Sequence, residues 1–237
     1  MLMTESQFIK TSLPSDLFVI KDTRGDNSCF YRSIANYVYF AQPFKSGENT
    51  VCSTFKNWGN KICSPEKFKI SKIIQDKLAK YMQHLIYEFV KNNPNNKIDF
   101  MGGMSIKEAV PFIHEISYSE YLNYYKYFAG YAVDLGDDFS IDRWGSSLEL
   151  YVVSEIINCP IIVFNTQAWS KRHKKIINGK IINNKPEKNV RLKPYIIVGK
   201  KYIGKKLPIF LIWREYYGEG HYMTLLPKSP VDIMKYI

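Results

Sequence analysis

Asp22-Thr-Arg-Gly-Asp-Asn-Ser28, followed by Cys29-Phe-Tyr-Arg-Ser-Ile-Ala-Asn-Tyr-Val38, sets a polar turn directly before an apolar run with helical spacing. Ile34, Tyr37 and Val38 recur at three and four residues, which predicts a helix beginning at or near Cys29. Ahead of the turn, Phe18–Lys21 is short and apolar enough for an edge strand. A cysteine that opens a helix stands where physics favours a reactive thiol. Unsatisfied N–H groups and the helix dipole behind them favour thiolate over thiol. The same N–H groups can receive an oxyanion when a carbonyl is attacked. Gly25 gives the turn freedom to bring its backbone close to a ligand. The plainer alternative is a buried cysteine acting as a small apolar filler.

Outward from this stretch, the pattern is helical first and β later. Ser64 suits an N-cap with Pro65 at the first helical position. From there Ile70, Ile73, Ile74, Leu78, Tyr81, Met82, Leu85, Ile86 and Phe89 trace one face of a long amphipathic helix, which Asn92–Asn96 ends. Ser105…Glu108, Ser117…Glu120 and Ser146…Glu149 read as capping boxes that start three more helices. The last runs to about Asn158, with Pro160 as breaker and Ile161–Phe164 as a buried strand. Asn178-Gly179 between two isoleucine pairs predicts a two-residue hairpin. Tyr195–Val198, Ile209–Arg214 and His221–Leu226 are the remaining strands, with a tight turn at Gly218-Glu-Gly220 just before His221. The expectation is one α+β domain over residues 1–237, helices packed around a small mixed sheet formed late in the sequence.

Bulk composition is that of a water-soluble globular chain: 237 residues, 46% hydrophobic and 23% charged. The first ten residues lack the apolar core of a secretory signal, and no apolar run approaches the roughly 20 residues that span a bilayer. Cys29, Cys52, Cys63 and Cys159 include no Cys-x-x-Cys pair, and His84, His114, His173 and His221 stand alone. These spacings predict reduced thiols in a cytoplasmic compartment, with no metal and no cofactor. The net charge is +11, yet residues 171–206 alone hold thirteen Lys or Arg against one acid, so the remainder is slightly negative. That segment reads as a solvated, hairpin-bearing basic excursion, or else as a contact for an acidic partner, nucleic acid or anionic lipid. A dedicated nucleic-acid binder would spread such charge over a face; here it is confined to one segment.

A thiolate needs a base, and the histidines differ in fitness for it. His84 and His114 lie on predicted helices as surface or packing residues, and His173 sits within the basic run. His221 begins a late strand after a glycine-bearing turn, a placement from which an imidazole can reach a distant helix start. The competing account is a strand-edge histidine with a structural hydrogen bond.

Three blocks bear a family resemblance. Asp26-Asn-Ser-Cys29-Phe-Tyr-Arg32 resembles the nucleophile motif of the ovarian tumour (OTU) cysteine proteases, with an Asp three residues before the Cys and an Arg after it. Trp144-Gly-Ser-Ser-Leu-Glu-Leu150, with Ser154-Glu155 and Pro160–Phe164, resembles the family's central helix and core strand. His221-Tyr222 resembles its catalytic-histidine motif. The blocks fall in family order and span about residues 18–226.

The resemblance implies a papain-like fold and a deubiquitinase, in which Cys29 is nucleophile, His221 its base and Asp26 the third catalytic member. It implies ubiquitin, polyubiquitin or a ubiquitin-like modifier as partner, a monomer, and the cytoplasm as its place, that of a host if the source is a virus or an intracellular bacterium. Many relatives carry Asp or Asn two residues after the histidine; this chain has Met223, which cannot orient an imidazole. Asp26 either fills that role or braces the oxyanion loop, unless it is a plain turn aspartate. Trp144 is either a wall for a Gly-Gly tail or a core residue. The Tyr-rich segment 118–131 is either a protein interface or a helix of half-buried tyrosines. The rival functions are a non-catalytic ubiquitin-binding module and a basic nucleic-acid-binding protein.

Overall fold

Apolar spacing and capping decide where the elements begin. The computed structural model describes residues 13–21, 23, 28–41, 72–130, 145–165, 174–177, 180–183, 191–203, 206–216 and 219–227. In chain order these form β1 (Leu13–Pro14), β2 (Phe18–Lys21), α1 (Cys29–Ala41) and α2 (Lys72–Asn92). A small hairpin, β3 (Lys97–Ile98) with β4 (Met104–Ser105), precedes α3 (Ile106–His114), α4 (Tyr118–Gly130) and α5 (Ser147–Ile157). The strands β5 (Ile161–Asn165), β6 (Lys174–Ile177), β7 (Lys180–Asn183), β8 (Arg191–Leu192), β9 (Pro194–Val198), β10 (Ile209–Tyr216) and β11 (Glu219–Pro227) follow. The chain is α+β, with a mixed sheet late in the sequence.

All three capping boxes form. The Ser105, Ser117 and Ser146 N–H groups each donate to the glutamate three residues on, at 2.7, 2.7 and 2.8 Å. Helix α1 starts at Cys29, and its Ile34 and Tyr37 are fully buried. On α2 the inward face is Leu78, Met82, Ile86 and Val90, at four-residue spacing. The expected start at Ser64-Pro65 lies outside the described residues. Helix α5 ends at Asn158, which turns left-handed (φ 51°) two residues before Pro160.

The main sheet has the order β2-β11-β10-β5-β9, parallel between β5 and β10 and antiparallel elsewhere. Ile161–Phe164 and Ile209–Ile212 are buried residue by residue, so both faces of the central strands are covered. This explains why their sequences are apolar runs and not alternations. Helix α1 packs along β11 and β10, while α2 lies against α1, α4 and α5. Helices and sheet share one hydrophobic cluster.

Two sequence expectations need correction. Gly218-Glu-Gly220 is not one turn before His221, because Tyr216 pairs with Glu219 and Gly220 pairs with Glu215 inside the ladder. Glycine permits a turn without requiring one, and β10 offers Gly220 a partner. The basic excursion is also narrower than residues 171–206. Its hairpin forms as β6 and β7, with Ile177 opposite Lys180. Its second half belongs to the body of the protein: β8 pairs with β1, β9 is the sheet's far edge, and Leu192 and Val198 are buried.

Candidate active site

Strand β2 sits beside β11 only from Phe18, opposite Pro227, to Lys21, opposite Thr224. Continued for two residues, that register would set residue 23 opposite Tyr222. Strand β2 ends at Lys21, and at Tyr222 two side groups take the strand's place. The Tyr222 N–H donates to the Cys29 sulfur at 3.5 Å, and the Tyr222 carbonyl accepts from the Thr23 hydroxyl at 2.7 Å. Both backbone groups of Tyr222 therefore point away from β10, as they do in a non-hydrogen-bonded pair, here with Trp213. Two residues on, the Thr224 hydroxyl donates to the Ser33 carbonyl of α1 at 2.8 Å. The Tyr222 ring meets Phe30 edge to face, centroids 5.3 Å apart. Helix α1 and strand β11 are thus joined at Tyr222 and Thr224.

The peptide that donates to Cys29 is the one joining His221 to Tyr222. Since the His221 Cα is two bonds from that nitrogen, it lies no more than about 6 Å from the sulfur. His221 is half-buried, paired across the ladder with Arg214, and alternates with Tyr222 so that it shares a face with Met223. Cys29 itself is 4% exposed. The helix N-terminus and the donated N–H both present positive partial charge to its sulfur. The structure thus sets the backbone between His221 and Tyr222 beside Cys29, although His221 and Cys29 lie 192 positions apart in sequence. Asp26, Trp144, Cys52, Cys63 and His173 lie outside the described residues.

A second polar group surrounds the far side of the first turn. Glu149 is fully buried, and its Oε1 lies 3.0 Å from His114 Nε2 and accepts from Tyr121 at 2.6 Å and Tyr125 at 3.3 Å. Tyr125 meets Tyr31 of α1, hydroxyl to hydroxyl, at 2.5 Å. Burial pushes the Glu149 carboxyl up, but the His114 imidazolium, the Ser146 hydroxyl and Tyr121 outweigh it and hold the group at about 2. Burial, then the charge of Glu149, raises the Tyr121 and Tyr125 hydroxyls well above their ordinary range, so both stay protonated donors. His114 is therefore a packing residue set against a buried carboxylate, one of the two readings its sequence position offered. His84 is exposed on α2. Tyr121 and Tyr125 are core residues, while Tyr127 and Tyr131 lie outside the described side chains.

Arg32, the arginine of the nucleophile motif, is buried and forms an ion pair with Asp76, tying α1 to α2. Cys159 is a buried thiol that donates to the Leu207 carbonyl at 3.0 Å. Among the described residues no cluster of His, Cys, Asp or Glu is arranged to hold a metal ion. Nor is any described helix long and apolar enough to cross a membrane. Sequence reasoning missed Thr23 and the Glu149 partnership. A signal existed only for Glu149, a charge set among Leu148, Leu150, Val152 and Val153 in a helix apolar on most sides.

No family model and no curated protein matches this sequence. A solved structure similar to it is the viral OTU domain protease from Dera Ghazi Khan virus, at 15% identity over 92% of this chain and 87% of that one, with a TM-score of 0.39. Both sequence and shape are distant at those values, and the site is read from its own geometry.

Proposed function

We propose that residues 1–237 form a single-domain cysteine protease of the OTU deubiquitinase type. It hydrolyses the isopeptide bond between the C-terminal glycine of ubiquitin, or of a ubiquitin-like modifier, and a lysine. The observation that carries this is the peptide between His221 and Tyr222 set against the sulfur of a cysteine that opens a helix. His221 takes the Cys29 proton, and the thiolate attacks the glycine carbonyl. Backbone N–H groups around Asp26–Cys29 receive the oxyanion. His221 then protonates the leaving lysine amine, and water releases the acyl-enzyme. Asp26 is the proposed third member, since Met223 offers no acceptor to the imidazole. The reduced thiols this chemistry needs fit a cytoplasmic setting.

Ubiquitin carrying a C-terminal electrophile tests the assignment. Covalent labelling is expected for the wild-type chain and none for Cys29→Ala; labelling that persists in Cys29→Ala refutes the nucleophile. Within the same assay Asp26→Ala is expected to slow turnover more than about tenfold, and an unchanged rate removes Asp26 from the triad.

A further inference from the structure

We propose that Thr23 is a positioning residue for this reaction, a clamp that fixes the His221–Tyr222 peptide against the nucleophile. The proposal rests on the protease reading for its kinetic consequence and on geometry for the clamp itself. Thr23 is 7% exposed, and its hydroxyl donates to the Tyr222 carbonyl at 2.7 Å. The amide of that same residue donates to the Cys29 sulfur. In a continuous ladder both groups of Tyr222 would be met by β2 main chain, but β2 ends at Lys21. A threonine hydroxyl does what a backbone N–H can no longer do there. Its branched Cβ narrows the choice of rotamer and so holds the hydroxyl in one direction.

The consequence concerns orientation. If the Tyr222 carbonyl loses its donor, a buried acceptor is left unpaired and the strand end is free to rotate its peptide planes. Rotation there moves the N–H off the sulfur and swings the His221 Cα, since both belong to adjoining peptide units. Thr23 is buried, so the effect is expected to fall on the chemical step and not on binding. A misplacement of about 1 Å at reacting groups is enough for large rate losses.

The experiment uses the full chain. Thr23→Val keeps the shape and removes the donor; Thr23→Ser keeps the donor. Thr23→Val is expected to lower kcat on a ubiquitin conjugate by about tenfold or more, leave KM within about threefold, and displace the pH profile of kcat/KM. Thr23→Ser is expected to stay within about threefold of wild type. If Thr23→Val does not fold, Thr23→Ala is compared with Thr23→Ser in the same way. A Thr23→Val enzyme with wild-type kcat and pH profile overturns the proposal, as does a Thr23→Ser enzyme equally impaired, which would assign the role to the methyl group. Alkylation of Cys29 by iodoacetamide as a function of pH needs no ubiquitin and separates the two readings. If the wild type cleaves no conjugate while Thr23→Val displaces this alkylation profile, the protease assignment falls and the clamp stands. If the wild type cleaves and Thr23→Val changes neither profile, the clamp alone falls.

Discussion

The Glu149 cluster and the Cys29 seam both grip the first turns of α1, one through a buried charge and the other through neutral bonds to main chain. Around Glu149 an imidazole and two phenol hydroxyls converge on a single carboxylate oxygen, and a third phenol, Tyr31, carries the network to α1. Along the seam, Thr23, Tyr222 and Thr224 make isolated bonds to a carbonyl, a sulfur and a carbonyl. The contrast teaches where a fold places its charge. A buried ion pair is rigid only while every partner is present, which suits a scaffold. Neutral bonds beside the thiol add no further charge at Cys29. The scaffold should then be costly to break and strongly pH-linked, and the seam cheap to break but kinetically sensitive.

The largest expected effect is that of Glu149→Ala, which leaves His114, Tyr121 and Tyr125 without their buried acceptor. Removing one partner of a buried pair costs about 3–5 kcal/mol, measurable by denaturant unfolding. The same carboxyl carries a pH signature. Its folded value of about 2 lies below that of an ordinary glutamate, so its stabilisation is complete above about pH 4.5. It is lost as pH falls from about 4.5 to about 2, and it amounts to about 3 kcal/mol. Glu149→Gln should flatten the acid limb of the stability curve in that window. An unchanged acid limb would show that the cluster is held by hydrogen bonds alone.

Gly145 joins the two regions. It precedes the Ser146 cap that engages Glu149, and a Cβ built on it would fall on the Phe30 ring, next to Cys29. Its backbone is not left-handed, so close approach is what excludes a side chain here. Gly145→Ala is expected to cost about 1–3 kcal/mol by overpacking. Because Phe30 abuts Tyr222, Gly145→Ala should also alter the iodoacetamide reactivity of Cys29, which Glu149→Gln should not. Lost stability with unaltered thiol reactivity would mean that Phe30 yields without moving its neighbours.

Such couplings mark the border of what sequence discloses. Helix starts at Cys29, Ser105, Ser117 and Ser146 were legible because capping is settled within four residues. The run Ile161–Phe164 announced a buried strand, and Ile209–Arg214 a further strand. Cys29 stood out by its local setting, whereas His221 was reached by elimination and family pattern, since nothing local connects residues on α1 and β11. The glycines at 218 and 220 misplaced the turn because pairing with Glu215 is a tertiary fact. The partner of His114 was unreadable for the same reason: Glu149 sits on another helix, 35 positions away in sequence. Thr23 carries no signal in its residue type, and its role exists only because β2 stops at Lys21.

The smallest effect tests the seam's side of the contrast. Thr224→Val removes the hydroxyl that donates to the Ser33 carbonyl while keeping the side chain's shape. Ser33 lies inside α1, where its carbonyl also accepts the helical N–H of Tyr37, so it is not stranded by the loss. The change should therefore cost only the net worth of one neutral hydrogen bond, about 0.5–1.5 kcal/mol. Thermal unfolding at neutral pH reads it directly. A loss near that of Glu149→Ala would mean that the seam carries scaffold strength after all. A loss within the expected range, beside a large kinetic effect of Thr23→Val, would separate bonds that hold the fold from bonds that aim the site.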